Sequence, residues 1–153
     1  MTSSATQTTS TTSITADDHL AILDLISEYS RSFDSGDVAT FAGLFTPDGK
    51  LTTPVGNAET REEVLAWAQS RWQENRAAGI RPQHFQTNTL LMPVTHDRVT
   101  GTTQLLLIWV TAATGAAEIK GVATYVDEFH NTHDGWRFDK RHIGWGDATE
   151  ATS

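Results

Sequence analysis

The chain has 153 residues, of which 38% are hydrophobic and 20% are charged, a composition typical of one soluble globular domain. The formal net charge is −8 and no basic cluster is present, which argues against nucleic acid or an anionic membrane as the main partner. Cysteine is absent, which excludes disulfides, thiolate metal sites and cysteine nucleophiles and favours a cytoplasmic location.

The beginning of the chain differs in composition from the rest. Residues 1–15 contain eleven Ser and Thr and no charged side chain, which predicts a disordered tail. The segment lacks the regions of a secretory signal, and no apolar run reaches the ~18–20 residues of a membrane span. We therefore expect one domain over residues 16–147 and a flexible tail at 148–153.

Two helices are predicted next in the chain. Asp17 and Asp18 favour a helix start, because carboxylates cap the first turn and complement its dipole. Apolar side chains then recur every three or four residues, which predicts an amphipathic helix that ends near Gly36. Asp37 is expected to cap a short second helix.

A turn, a short strand and a third helix follow. Residues 46–49 (Thr-Pro-Asp-Gly) predict a turn, and a short strand is expected at 50–53. Thr60 and Glu63 form a capping-box pattern that opens a helix ending near Gly79.

Four long strands are predicted in the second half, at 83–94, 102–112, 118–129 and 136–145. Short polar turns separate them, so neighbouring strands are expected to run antiparallel. The order of elements predicts an α+β domain in which helices cover one side of a curved sheet.

The first long strand carries a histidine with polar residues at alternate positions. Alternate residues of a strand share a face, which groups His84 with Gln86 and Asn88, and Leu90 and Met92 continue that face. A face that is polar at one end and apolar at the other is typical of a pocket wall, with Asn88 as a substrate-binding residue. The alternative is a surface strand whose polar face meets water.

Apolar residues of the next strands are candidates for the rest of the pocket. Leu105, Leu107, Trp109 and Tyr125 are expected to form its walls, although core packing explains such residues equally well. Residues 105–110 are apolar on both strand faces. One face should therefore meet the helices and the other a partner subunit or a neighbouring sheet, which predicts a homodimer or homotrimer.

Several short motifs, in this order, resemble the SnoaL-like group of the nuclear-transport-factor-2-like (NTF2-like) superfamily over roughly residues 17–147. The motifs are Tyr29 and Asp34 in the first helix, residues 41–49, His84 with Thr87 and Asn88, residues 121–128 and residues 134–138. The resemblance implies a cone in which a curved antiparallel or mixed sheet and three helices surround a pocket. It also implies association into dimers or trimers.

Within that group the pattern is similar to the scytalone dehydratase, bile acid 7α-dehydratase and lindane dehydrochlorinase branch. There a histidine on the first long strand pairs with an aspartate at the end of the first helix, and His84 and Asp34 hold those positions. Tyr29 matches a helix tyrosine of the bile acid enzyme pattern, and Arg141 a basic residue on the last strand. One departure is a missing carboxylate on the second long strand, where residues 105–109 are apolar.

The resemblance implies a cofactor-independent lyase or isomerase, dehydratase-like, that acts on a small, hydrophobic, cyclic molecule. His84 would be the general base and Asp34 its orienting carboxylate, while Tyr29 and Arg141 would polarise a substrate oxygen. Each of the last three also has a structural interpretation: a helix-end residue, a core aromatic and a member of a surface ion-pair ladder.

No metal or organic cofactor is expected, since the close pair His130 and His133 lies in a predicted turn. Two other classes of function stay open. One is a non-catalytic binding or oligomerisation subunit, as in the small subunits of ring-hydroxylating dioxygenases. The other is a polyketide cyclase or an epoxide hydrolase.

Overall fold

The computed structural model describes residues 13–144, which form three helices and six strands. In chain order these are α1 (Ala16–Ser35), α2 (Val38–Gly43), β1 (Phe45–Thr53), β2 (Gly56–Ala58), α3 (Arg61–Ala77), β3 (Ile80–Pro93), β4 (Arg98–Thr111), β5 (Ala117–Thr132) and β6 (Gly135–Gly144). The strands form one curved open sheet in the order β2-β1-β6-β5-β4-β3. Among these described strands only β1 and β6 pair in parallel, so the predicted α+β class and mixed sheet are confirmed.

The N-cap of helix α1 is the last residue of the segment predicted as a tail. Thr15 is its N-cap: the Thr15 hydroxyl accepts from the Asp18 backbone N–H at 3.0 Å, and the Asp18 carboxylate accepts from the Thr15 backbone N–H at 3.2 Å. The domain therefore includes Thr15, because the capping box satisfies donors that a helix start leaves unpaired. The remaining tail predictions, for residues 1–12 and 148–153, lie outside the described residues.

The helix ends where a glycine is required. Gly36 has φ 82, and a β-carbon there would lie 2.2 Å from the indole ring of Trp72 on α3. Only glycine combines this left-handed conformation with so close an approach. The close packing fixes the last turn of α1, which carries Asp34, against α3.

The predicted turn at residues 46–49 is wrong. These residues belong to β1, and the pairing of β1 with β6 shifts between Phe45 and Lys50. Turn-forming residues serve here as a bulge, which lets the strand bend without reversing direction. A β-carbon on Gly49 would lie 2.9 Å from the carbonyl oxygen of Phe138, so this residue also permits a close approach between β1 and β6.

The sheet has two different faces. The inner face carries the buried residues that pack with the helices, among them Leu105, Ala123, Tyr125, Phe129 and Phe138. The outer face carries exposed apolar residues, among them Phe85, Leu90, Met92, Ile119 and Val122. None of the helices within residues 13–144 combines the length and hydropathy needed to cross a bilayer.

The predicted alternation along β3 breaks in its middle. The pairing with β4 shifts between Thr87 and Leu90, and Asn88 has φ 53, a conformation that asparagine tolerates better than most residues. The side-chain amide of Asn88 donates to the side-chain Oε1 atom of Gln104 at 2.6 Å, on the exposed side of the sheet. Beyond the bulge Leu90 and Met92 are 58% and 48% exposed, so they lie on the outer face rather than continuing the face of His84.

Candidate active site

The end of α1 brings Asp34 against the first half of β3. The Nδ1 atom of His84 and the Oδ1 atom of Asp34 are 2.5 Å apart, and the His84 backbone N–H donates to Asp34 Oδ2 at 2.8 Å. The two side chains are 13% and 15% exposed. The ring of Phe33 packs edge-on against the imidazole, with 5.5 Å between centroids. One carboxylate therefore holds both the ring and the backbone of the histidine.

This contact sets the tautomer of the imidazole. An ionised carboxylate only accepts hydrogen bonds, so the bond to Asp34 requires a proton on Nδ1 of His84. In the neutral ring the lone pair is then on Nε2. His84 lines a cavity, so this geometry suits a general base for a molecule bound there.

The cavity next to His84 has a volume of about 210 Å³. Leu105, Leu107, Trp109 and Tyr125, the four predicted wall residues, all line it. It is mainly apolar and lies below the ~300–1,000 Å³ of typical ligand pockets, which favours a small ligand. Asn88, by contrast, does not line this cavity, because the bulge in β3 directs it to Gln104.

Sequence reasoning missed other parts of the wall. Val55, in the link between β1 and β2, and Trp67 and Arg71 of α3 also line the cavity. Trp67 and Arg71 are four residues apart, a spacing that places them on one face of a helix and could have indicated a shared role. The position of Val55 depends on β2, which no sequence pattern predicted.

Arg141 lies behind the cavity rather than in its wall. It is fully buried and forms a bidentate ion pair with Asp127, with N–O distances of 2.8 and 2.9 Å. Its Nη2 atom also donates to the Gln86 side chain at 2.9 Å. The guanidinium carbon is 4.1 Å from the ring centroid of Tyr29 and 3.8 Å from that of Tyr125. Polarisation of a substrate oxygen by Tyr29 and Arg141 therefore stays a prediction.

Burial and charge act against each other in this cluster. Burial disfavours the charge of Arg141, but the facing Asp127 carboxylate raises the pKa of the guanidinium above its usual value. Burial also raises the pKa of Tyr29 to about 12, although the Arg141 charge opposes this, and raises that of Tyr125 well above its ordinary value. Both phenols thus stay protonated and can donate.

Some buried donors of the site have no acceptor. Among residues 13–144, the Trp67 indole N–H, the Tyr125 hydroxyl and the Nη1 atom of Arg141 are buried without a hydrogen-bond partner. Native proteins pair nearly all such groups, which favours an added oxygen here from water or from a ligand. The described part of the chain holds no group of three or more metal-ligating side chains, and cofactor independence stays a prediction.

Alkaline titration should show no tyrosinate at the ordinary tyrosine pKa of 10.0 while the protein is folded. The chain has two tyrosines, and Tyr29 and Tyr125 are both buried. Because their folded pKa values are raised, the folded state keeps protons that the unfolded chain loses. Stability should therefore fall as pH rises from about 10 toward 12.

Ultraviolet difference spectroscopy measures the formation of tyrosinate, and circular dichroism, followed in parallel, measures the loss of folded structure. The tyrosinate signal is expected to rise only as the far-ultraviolet signal is lost. A separate tyrosinate step near the ordinary pKa, with the protein still folded, would contradict the burial of these rings.

The fold is shared with several solved structures. A variant of Rv3472, a protein of unknown function from Mycobacterium tuberculosis, is 24% identical with a TM-score of 0.75, and the match covers 91% of this chain and 82% of that one. ActVI-ORFA from Streptomyces coelicolor is 23% identical with a TM-score of 0.76, over 85% of this chain and 96% of that one. A candidate beta subunit of an aromatic-ring-hydroxylating dioxygenase from Novosphingobium aromaticivorans DSM 12444 is 18% identical with a TM-score of 0.68, over 84% and 88%.

A comparison with curated proteins finds no match. At the identities of the solved structures, the likeness shows the fold alone. The family follows from the sequence itself. The model of the SnoaL-like domain matches residues 15–142, which is most of the chain, so the protein belongs to the SnoaL-like domain family, as the resemblance predicted.

Proposed function

We propose that the protein is a cofactor-independent lyase or isomerase in which His84 removes a proton from a carbon of a small, hydrophobic, cyclic molecule. The observation that carries this proposal is the contact between His84 and Asp34 at the wall of an apolar cavity. A base held in one tautomer beside a cavity with apolar walls is suited to abstracting a weakly acidic C–H proton.

In the proposed reaction Nε2 of His84 takes the proton, and the electron pair of the C–H bond moves into the substrate. Asp34 stabilises the imidazolium that forms. The electron pair then either expels a β-hydroxyl group, which takes the proton from the imidazolium and leaves as water, or moves a double bond and recovers the proton at another carbon. In both cases the histidine ends in its starting state.

A donor is needed where negative charge develops on a substrate oxygen. We assign this role first to Tyr125, which lines the cavity and has a buried hydroxyl without a partner within residues 13–144. The guanidinium of Arg141 lies against the Tyr125 ring, and its positive charge would stabilise negative charge that develops near that hydroxyl. Tyr29, whose ring contacts both Arg141 and the Tyr125 ring, would support the same charge at a greater distance.

The experiment is a search for proton exchange at carbon. A panel of small cyclic ketones and β-hydroxyketones would be incubated with the protein in deuterium oxide and analysed by mass spectrometry. We expect deuterium uptake, or loss of water, for some members with the wild type and none with His84→Gln. If some panel members bind the cavity but none exchanges protons or loses water, the result would favour a binding protein over an enzyme.

The second candidate is a non-catalytic subunit. It is favoured by the likeness to the candidate dioxygenase beta subunit and by the apolar outer face of the sheet. Phe85 and Val122 on that face are 53% and 65% exposed, and both flank Leu106 across the strands. Contiguous exposed apolar residues mark interfaces, so we propose that the protein forms a homodimer or homotrimer through this face.

The substitution Val122→Lys should convert the oligomer to a monomer, because it places a charge in the middle of the apolar face. Light scattering with size exclusion at micromolar concentration measures the mass. Leu20→Lys on α1 is the matched control, since Leu20 is 59% exposed but lies away from the sheet, and it should leave the mass unchanged. A monomeric wild type, or equal masses for both variants and the wild type, would contradict the interface.

A further inference from the structure

We propose that the ligand of the His84 cavity is an organic acid, with its hydrophobic body inside and its anionic group at the mouth between Lys120 and Arg71. The inference rests on the proposed function only in that a small molecule occupies this cavity. It adds the class of that molecule and the two residues that select it.

The first observation is the charge of the wall. The protein has a net charge of −8, yet among residues 13–144 those that line this cavity include no Asp or Glu and do include Lys120 and Arg71. Asp34 carries a negative charge nearby, but it lies behind His84 and is not part of the wall. Positive charge at a concave, apolar surface attracts anions, because low-dielectric walls concentrate the field.

The second observation is the way in which the sheet presents Lys120. On β5, Gly121 pairs with Leu107 and Ile119 pairs with Ile108, so Lys120 is the extra residue of a β-bulge. A bulge redirects the side chain of the added residue, and here Lys120 joins the cavity wall while Ile119 is exposed on the outer face. The fold therefore uses an irregularity of the strand to place this cation.

The Lys120 ammonium contacts an aromatic ring of the cavity wall. Its Nζ atom lies 4.0 Å from the ring centroid of Trp109, a cation–π contact with another residue of the wall. Within residues 13–144, no carboxylate oxygen lies within 4.0 Å of it, whereas Lys50 and Lys140 each have a glutamate at that range. An aromatic ring orients an ammonium but leaves its charge uncompensated, so it remains available to an anion.

Arg71 supplies the second cation from α3. It pairs with Glu74, which is exposed and is not part of the wall. A guanidinium has five N–H donors, so one exposed carboxylate leaves donors for another oxyanion. Trp67 lies one helical turn before Arg71 and also lines the cavity, so this face of α3 contributes both a cation and an apolar surface to the wall.

The apolar interior decides between an inorganic anion and an organic acid. Leu105, Leu107, Trp109 and Ile143 gain nothing from a small hydrated ion, whereas an aromatic or alicyclic body removes their surface from water. Binding the acid at the mouth would also fix which carbon faces His84. The two cations would thus select the substrate and orient it for proton removal.

The test compares ligands of the same shape and different charge. Naphthoate, naphthyl phosphate and the neutral naphthamide would be titrated into the full-length protein by calorimetry, supported by quenching of tryptophan fluorescence. We expect naphthoate or naphthyl phosphate to bind about tenfold or more tightly than naphthamide, with a preference that shrinks at high salt. The tighter of the two acids identifies the anionic group as carboxylate or phosphate.

Lys120→Gln should weaken binding of the acids several-fold and leave naphthamide unchanged. Lys140→Gln is the matched control, because Lys140 is an exposed lysine that does not line this cavity, and it should change neither. The inference is overturned if naphthamide binds wild type as tightly as both acids, or if the two variants weaken the acids equally. If naphthamide and the two acids bind equally, only the proposal that the ligand is an acid is refuted. If none of the three probes binds, the proposal that a small molecule occupies this cavity is refuted as well. Cyclic ketones and β-hydroxyketones that carry a carboxylate would be added to the exchange panel. Acid binding without proton exchange in any member of this extended panel would refute only the catalytic proposal.

Discussion

Replacement of His84 by alanine is expected to lower turnover of the proposed reaction by about 10²–10⁴-fold, which is the usual effect of removing a positioned general base. Asp34→Asn should cost about as much, for a reason that the geometry supplies. The side chain at 34 must accept from the His84 backbone N–H and must also hold Nδ1 of the ring. An asparagine that accepts from the backbone turns its NH₂ group to the ring.

In the Asp34→Asn variant, Nδ1 of His84 must therefore become an acceptor. The ring proton then moves to Nε2, the atom whose lone pair has to be free to take the substrate proton. The double variant should be little worse than His84→Ala alone, because the pair acts as a unit. Tyr29→Phe should cost less than either, since its ring packing is retained. Steady-state kinetics with a substrate from the exchange panel measures all four variants. Folding is checked by circular dichroism. Near-normal turnover by a folded His84→Ala protein would contradict the assignment of His84 as the general base.

Arg141→Met is expected to lower the free energy of unfolding by about 3–5 kcal/mol, the usual cost of leaving one partner of a buried ion pair uncompensated. Asp127 would stay fully buried without its cation, and the side-chain Oε1 atom of Gln86 would lose its donor. The double variant Arg141→Met with Asp127→Leu should recover much of this loss, because replacing both charges by apolar groups is often nearly neutral.

Urea denaturation followed by circular dichroism gives these values. The exposed ion pair of Lys50 with Glu59 is the matched control, and Lys50→Gln should produce no measurable change. An Arg141→Met protein that unfolds at the urea concentration of the wild type would show that Asp127 is not held as described. A double variant less stable than the single one would assign the cost to lost packing of the guanidinium against the rings.

Much of the fold was predictable because its signals are local. Caps, helical periodicity and polar turns placed the helices and the four long strands, and their order indicated the α+β layer arrangement. Signals of this kind involve neighbours in the sequence or the end of a regular element. The meeting of His84 with Asp34 was implied instead by the resemblance to the SnoaL-like group, and the two side chains are in contact at 2.5 Å.

The features that escaped prediction depend on pairing between strands. Asn88 and Lys120 both sit on bulges, and an extra residue in a strand changes no local pattern while it reverses the faces that follow. Asp127 and Arg141 lie opposite each other only in the observed register of β5 and β6. Lys120 and Arg71 resemble solvated surface charges in the sequence, so the proposed cationic mouth of the cavity was not predicted.

The bond from the His84 backbone to Asp34 has a consequence for how the protein avoids self-association of its strands. Within residues 13–144, β3 is the last strand of the sheet, and no described strand pairs with one side of its backbone. Unpaired edges recruit strands from other chains. The His84 N–H points to that side and is taken by Asp34, while Pro82, two residues earlier, has no N–H to offer. Loss of the carboxylate at 34 would therefore reopen this edge to strand addition, and an inactive variant made for crystallisation would keep the edge closed better as Asp34→Asn than as Asp34→Ala.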